Sequence, residues 1–283
     1  MPDTGLLDPR TVRTLAAELD LRPSKQRGQN FVVDPNTVRR IVALSGVQPG
    51  EVVLEVGPGL GSLTLGLLEA GAHVVAVEIE PSLATRLART VRDRLPEAAD
   101  RLTVVEADAL RVTEFDPMPT RLVANLPYNV SVPVILHLLA TFPGIVAGLV
   151  MVQLEVADRL VAPPGSKVYG TPSAKLAWYA SASRVGTVPA SVFWPVPNVE
   201  SGLVAFARRE PPSATDRAKV FGVVDAAFGQ RRKMLRAALA GIFGSSGAAT
   251  EALERAGVEP TLRGETLTIG QFAAIADQLP STS

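Results

Sequence analysis

The chain of 283 residues contains no cysteine. Disulfides, zinc–thiolate sites and thiol nucleophiles are therefore excluded. Histidine is almost as scarce, with only His73 and His137. That is too few for a histidine-rich metal site, so no metal is expected. Aromatic residues make up 5% of the chain. Net charge is also missing, because 28 basic residues balance 28 acidic ones. The total thus argues neither for nor against a nucleic-acid partner, and only its distribution can. The opening residues, Met1 to Gly5, lack the basic and apolar stretches of a secretion signal. One apolar stretch, Val132 to Val152, is broken by Pro133, Pro143 and Gly144. It reads as a helix followed by a buried strand rather than a membrane span. A soluble cytoplasmic protein without a membrane partner is expected.

What is present is a core: 47% of residues are hydrophobic, and the length suggests one large domain plus a small one. Asp8-Pro9 and Asp34-Pro35 each pair an N-cap residue with proline at the first helical position, predicting two N-terminal helices. Apolar runs then alternate with helical patterns. Strands are predicted at Val52–Val56, His73–Glu78, Leu102–Ala107, Arg121–Asn125 and Ile145–Gln153, with helices opening near Ser62 and Pro81. Strands this apolar, separated by helices, indicate an α/β fold with a parallel sheet covered on both faces. Ser183–Val188 and Ser201–Arg209 read as closing strands. After Arg209 the composition shifts to a linker, followed by helical spacing to the end.

The segment Glu55–Thr64, EVGPGLGSLT, places Gly57, Gly59 and Gly61 between a strand and a helix. Such glycines allow a tight turn and close approach of a ligand to the backbone. A dinucleotide fingerprint would need another glycine where Ser62 stands. A ligand without a pyrophosphate needs no such anion cradle. Glu78 ends the second strand, where a carboxylate can accept from both ribose hydroxyls, and Asp108 follows the third, facing an exocyclic amine. Together they suggest an adenosyl ligand, and the glycine spacing favours S-adenosylmethionine. The same residues also read as strand-end turns.

The fourth predicted strand runs into Asn125-Leu126-Pro127-Tyr128. Pro127 pushes Leu126 out of the helical region, which can turn its carbonyl toward the crevice. Asn125 offers an acceptor oxygen, and Tyr128 a flat face with a polar tip. Two acceptors and an aromatic plane suit an exocyclic aromatic amine such as adenine N6. Phe193, in the proline-rich stretch Val192–Ser201, is the candidate second stacking ring. Phe193 and Trp194 equally fit core packing beneath a loop.

Together these motifs resemble the KsgA/RsmA family of rRNA adenine N6,N6-dimethyltransferases, whose relatives include the Erm resistance methyltransferases. The likeness covers most of the chain. It implies a Rossmann-like S-adenosylmethionine-dependent methyltransferase sheet with a small C-terminal all-helical domain. Residues 1–209, with a helical extension over 8–46, would form the catalytic domain, and residues 213–283 an RNA-binding domain. GQNFVVD resembles the family's N-terminal cofactor segment, which implies that Gln29, Asn30 and the Val32 backbone touch S-adenosylmethionine. The resemblance implies the same for Gly57, Gly59, Glu78, Asp108 and Asn125. FWPVPNVES is similar to the second base-stacking segment, while GQRRKMLRAAL and RGETLT resemble the C-terminal domain. Two departures, Leu154 within Gln153–Glu155 and Thr171–Ala174 after Gly170, lie outside the methyl-transfer segments.

The implied substrate is a pair of adjacent adenosines in the 3′-terminal hairpin of 16S rRNA, within a small-subunit precursor, and the implied enzyme is a monomer. Leu126, where Erm enzymes usually carry isoleucine, favours this branch over one acting on 23S rRNA. An assembly factor with dispensable catalysis is the rival of another class, and an NAD-linked oxidoreductase the weakest reading. Between Arg208 and Arg236 stand eight basic residues against three acidic ones, a local excess of five. Arg231, Arg232, Lys233 and Arg236 are the candidate RNA contacts, with RRK expected to open a helix. Lys25 and Arg27 would add charge beside the cofactor mouth. A solvated helix face reads equally well from the charges alone.

Overall fold

The computed structural model describes residues 5–21 and 30–280. It divides into two compact units, one running up to Ala157 and including Ser183–Arg208, the other formed by Asp158–Ala182 and the chain from Arg209 onward.

In the first unit both N-terminal helices start where an Asp-Pro pair stands. Asp8 accepts from Thr11 N at 2.7 Å to open α1 (Pro9–Glu18), and Asp34 accepts from Thr37 N at 2.8 Å to open α2 (Pro35–Ser45). Each carboxylate satisfies an amide that the first helical turn leaves unpaired. Between them lies the short β1 (Phe31–Val32). The alternation then begins with β2 (Val52–Val56), α3 (Ser62–Glu69), β3 (His73–Glu78), α4 (Pro81–Arg94), β4 (Leu102–Glu106) and β5 (Arg121–Asn125). It continues with α5 (Ser131–Thr141), β6 (Ala147–Gln153) and α6 (Leu154–Leu160). Helix α4 buries Leu83, Leu87 and Val91, four residues apart, and so presents one apolar stripe to the sheet. Strand β3 is buried along all but its first residue, as expected for a sheet covered on both faces.

The sheet order is β4-β3-β2-β5-β6-β9-β7, with β7 at Ala180–Val188 and β9 at Ser201–Arg208. The strands from β4 to β6 run parallel, and β9 runs antiparallel to β6. The order of strand addition reverses at β2: β3 and β4 are added on one side, β5 and β6 on the other. This is the topological switch point at which open parallel sheets leave a crevice. A separate ribbon pairs β1 with β8 (Phe193–Trp194), setting Val32 opposite Phe193 and Phe31 opposite Trp194.

The second unit contains α7 (Thr171–Tyr179), α8 (Arg217–Gly229), α9 (Leu235–Ala238), α10 (Ala240–Phe243), α11 (Ser246–Arg255) and α12 (Ile269–Ala276). Sequence reading placed residues 158–182 in the first domain, but here they pack with the helical tail. The reason is aromatic burial. Tyr169 is 2% exposed, packs edge-on to Phe228 at 5.8 Å, and donates to the Leu267 carbonyl at 2.9 Å. Trp178 and Tyr179 pack edge-on against Phe221. The RRK stretch also departs from expectation, lying in the turn between α8 and α9 rather than opening a helix; Lys233 N closes that turn on the Gln230 carbonyl at 2.8 Å. Among the described residues no helix is long and apolar enough to cross a membrane.

Gly148 shows how tightly the sheet is built. It stands on β6 between Leu122 of β5 and Phe206 of β9. An added Cβ would collide with the Leu122 carbonyl oxygen and the Phe206 ring. Gly148→Ala should therefore cost about 1–3 kcal/mol through overpacking, read as a lower urea midpoint at unchanged slope.

Candidate functional site

The parallel strands bring their C-terminal ends to one edge, and a cavity of about 550 Å³ opens there in the first unit. The turn after β2, the ends of β3 and β4, the Asn125–Val130 loop after β5 and the β1 segment all line it. Carboxylates at Glu55, Glu78, Glu80 and Asp108 reach the lining, and no Lys, Arg or His does among the described residues. His73 and His137 lie outside it; the His137 ring is within hydrogen-bond distance of the Val112 carbonyl, at 3.0 Å.

The glycine turn is built for close approach. Gly59 has φ +56°, and a Cβ there would stand 2.7 Å from Phe31 Cε1. Its amide donates to Glu78 Oε2 at 3.2 Å, while Glu80 N donates to Oε1 at 3.0 Å. Glu78 is 5% exposed. Burial pushes its carboxyl above the usual range, against the pull of those two backbone amides. Gly57 lines the cavity as well, and a Cβ there would reach Pro127 Cδ at 3.6 Å.

Glu55 escaped sequence reading as a site residue. It is 1% exposed and accepts from Thr64 Oγ1 at 2.6 Å. Burial pushes its carboxyl up to about 8; the Thr64 hydrogen bond opposes this and the neighbouring Glu78 charge adds to it. Its one signal in the sequence was a carboxylate inside an otherwise apolar strand. Asp108 sits at the rim, its Oδ1 accepting from Leu110 N at 2.9 Å, beside Ile79, which is 66% exposed.

Asn125 is fixed from a distance. Its Nδ2 donates to the Asn30 carbonyl at 3.1 Å. That bond orients the amide and leaves Oδ1 as an acceptor with no donor among the described residues. Leu126 buries its side chain, at 1% exposure, and donates its amide to the Met151 carbonyl at 3.1 Å. No described residue donates to its own carbonyl. Half-buried Tyr128 lines the cavity, and its hydroxyl lies 3.1 Å from Ser201 Oγ. Asn30 and Val32 line it too, and the Val32 carbonyl already accepts from Ser62 Oγ at 2.7 Å.

Phe193 is not brought to this site. It is 2% exposed, belongs to the core cluster and does not line the cavity. Its place opposite Val32 in the ribbon turns the ring inward, so as placed it packs rather than stacks on a ligand. Trp194 stacks on Phe31, with ring centroids 6.4 Å apart. Gln29, Lys25 and Arg27 lie outside the described residues. In the second unit Arg231 is committed internally: Nε donates to Glu265 Oε2 at 2.9 Å and Nη2 to the Lys167 carbonyl at 2.7 Å. Arg232, Lys233 and Arg236 are exposed.

Residues 21–280 match the family described as ribosomal RNA adenine dimethylase. The chain is 60% identical to a ribosomal RNA small subunit methyltransferase A of Cutibacterium acnes, covering 99% of this chain and 96% of the relative. It is 62% identical to the protein of the same name from Streptomyces coelicolor, covering 98% and 97%. Among solved structures, a dimethyladenosine transferase from Plasmodium falciparum superposes with a TM-score of 0.73 at 23% identity, covering 86% of this chain and 94% of that one. The 23S rRNA methyltransferase ErmE does so with a TM-score of 0.63 at 25% identity, covering 88% and 99%.

The buried carboxyl of Glu55 generates a pH prediction. A group whose native value is raised stabilises the fold below its unfolded value, and that contribution is lost as pH rises through the native one. Wild-type stability should thus lose a Glu55 contribution between roughly pH 4.5 and 8, on the order of 1 kcal/mol per pH unit. Glu55→Gln, which keeps an acceptor for Thr64, should lack that slope. Urea melts at several pH values measure it, and parallel curves for the two proteins would refute the assignment. Glu78 shifts in the same sense but is common to both.

Proposed function

The chain belongs to the ribosomal RNA adenine dimethylase family, and from that premise we propose that it dimethylates N6 of adenine in small-subunit rRNA, using S-adenosylmethionine. The target is two adjacent adenosines in the 3′-terminal hairpin of 16S rRNA, met within a small-subunit precursor. Whole-length identity near 60% to small-subunit enzymes, against 25% to ErmE, supports this branch over one acting on 23S rRNA. The enzyme is proposed to act as a monomer in the cytoplasm.

The cavity fits the cofactor on its own chemistry. Its lining is acidic and free of described cations, which suits a sulfonium and disfavours a pyrophosphate. Gly59 keeps the turn close against the Phe31 ring at the cavity wall, and Glu78 presents a buried carboxylate at the end of β3. Gly57, Gly59, Glu78, Asp108, Asn30 and the β1 backbone would hold it, with Glu55 beneath. Bound there, S-adenosylmethionine supplies an electrophilic methyl group.

The chain's own task is to make adenine N6 a nucleophile. That nitrogen is poor because its lone pair is delocalised into the ring. Asn125 Oδ1 and the Leu126 carbonyl are the acceptors left open at the end of β5. Accepting both amino protons there favours a pyramidal nitrogen, whose lone pair would take up the methyl group as the methyl–sulfur bond breaks; the surplus N6 proton is then lost to water. The acceptors bind the transition state more strongly than the flat ground state, and need no general base. Tyr128 provides a face for the base. The observation that carries the reading is the bond from Asn125 Nδ2 to Asn30, which leaves the amide oxygen as the acceptor. Exposed Arg232, Lys233 and Arg236 are proposed to contact RNA phosphates, whereas Arg231 holds its loop.

Mass spectrometry of rRNA from a strain lacking the gene should show the 16S dimethyladenosines gone; their persistence would overturn the assignment. Asn125→Ala should lose methyl transfer by about 10²-fold or more, the scale seen when one preorganised polar contact is removed. Cofactor affinity should stay within a few-fold, as read by calorimetric titration.

A further inference from the structure

The role left open by Phe193 passes to another residue of the same proline-rich segment. We propose that Ser201 is a positioning residue for methyl transfer, its hydroxyl holding the Tyr128 ring at the place where the target base is received. This rests on the functional reading above and names a further residue of that same site.

The topology makes the contact possible. Parallel strands end at the ligand edge, but β9 runs antiparallel to β6, so it begins there. Ser201 is its first residue, opposite Gln153, the last residue of β6. The segment that opens on Phe193 therefore delivers a hydroxyl to the same edge as Asn125 and Tyr128. Sequence separation hides this, since Tyr128 and Ser201 are 73 positions apart.

Ser201 stands on a strand backed by a helix, while Tyr128 stands on a short turn beyond the end of β5. Leu154 N donates to the Glu200 carbonyl at 3.0 Å, tying the start of β9 to α6. Gly202 faces Ala157 too closely to accept a Cβ, so the strand start is backed by that helix. Tyr128, by contrast, lies beyond the last β5–β6 hydrogen bond, made by Leu126 N. A tyrosine ring on such a loop can swing about two torsions, and fixing its tip removes that freedom.

The two hydroxyls also need each other. Ser201 is 0% exposed, and among the described residues neither hydroxyl has another partner. A buried hydroxyl left unpaired is costly, so each stabilises the other in place. Burial pushes the Tyr128 phenol up, opposed by the Ser201 bond, so the pair stays neutral through the physiological range. Tyr128 lines the cavity and Ser201 does not. Any effect of Ser201 on the reaction must therefore pass through the ring.

The test is a double-mutant cycle of Ser201→Ala and Tyr128→Phe, each variant loaded with cofactor and given RNA carrying 2-aminopurine or adenine at the target. Each single change should slow single-turnover methylation about tenfold, the worth of one hydrogen bond. The double variant should be no slower than the slower single, because both remove the same contact. Cofactor affinity should stay within about twofold in all three. The 2-aminopurine fluorescence change on binding should shrink in Ser201→Ala. Additive losses, a wild-type rate in Ser201→Ala, or unchanged fluorescence would overturn the proposal. If Ser201→Ala folds poorly, Tyr128→Phe carries the test, since it keeps the ring and loses only the anchor. A wild-type protein that stacks the base but transfers no methyl group would sink the functional reading instead, leaving the fluorescence arm to decide on Ser201.

Discussion

Parallel strands cannot turn back at their ends; each must leave the sheet through a crossover. With β4, β3, β2, β5 and β6 all parallel, their C-terminal ends fall on one edge. At the reversal of order between β2 and β5, the loops diverge and leave a crevice uncovered by helices. Everything chemical in the first unit hangs on that constraint. Register carries it out: Leu54 lies opposite Leu122, and Glu78 opposite Glu106, so turn, carboxylates and amide arrive at one level. A one-residue slip would turn these side chains to the other face.

The crevice concentrates negative and acceptor groups at some cost. Burying Glu55 and Glu78 in one cavity works against ionisation, which is why burial raises both carboxyls. Backbone amides of Gly59 and Glu80 partly offset this at Glu78, and Thr64 does so at Glu55. Such a site is poorly suited to a phosphate and well suited to a cation or an amine donor. Asn125 and the Leu126 carbonyl continue the pattern in uncharged form, as acceptors that can hold amino protons without removing them.

Long-range closure then decides what those acceptors meet. Asn30 reaches Asn125 from the N-terminal segment, 95 positions away, and sets the direction of its amide. The β1–β8 ribbon turns Phe193 into the core while its continuation into antiparallel β9 brings Ser201 to Tyr128. One segment thereby serves as packing at its start and as an anchor at its end. In the second unit the same kind of distant pairing binds residues 158–182 to α8 and commits Arg231 to Glu265.

The residues by themselves determined the local elements. Val52–Val56, His73–Glu78 and Arg121–Asn125 were legible as β2, β3 and β5, because an apolar run between helical patterns has few other ways to satisfy its backbone and bury its side chains. Asp8 and Asp34 were legible as caps, since each acts within a few positions of itself, and Gly59, Glu78 and Asn125 were legible because they stand at or just beyond the end of an apolar run. Only the tertiary structure decided that Glu55 faces the cavity, that Phe193 is core, that RRK is a turn and that Ser201 meets Tyr128. Burial and pairing are properties of residues far apart in the chain. A pattern read over a short window contains the period of an element, but not the identity of its neighbour.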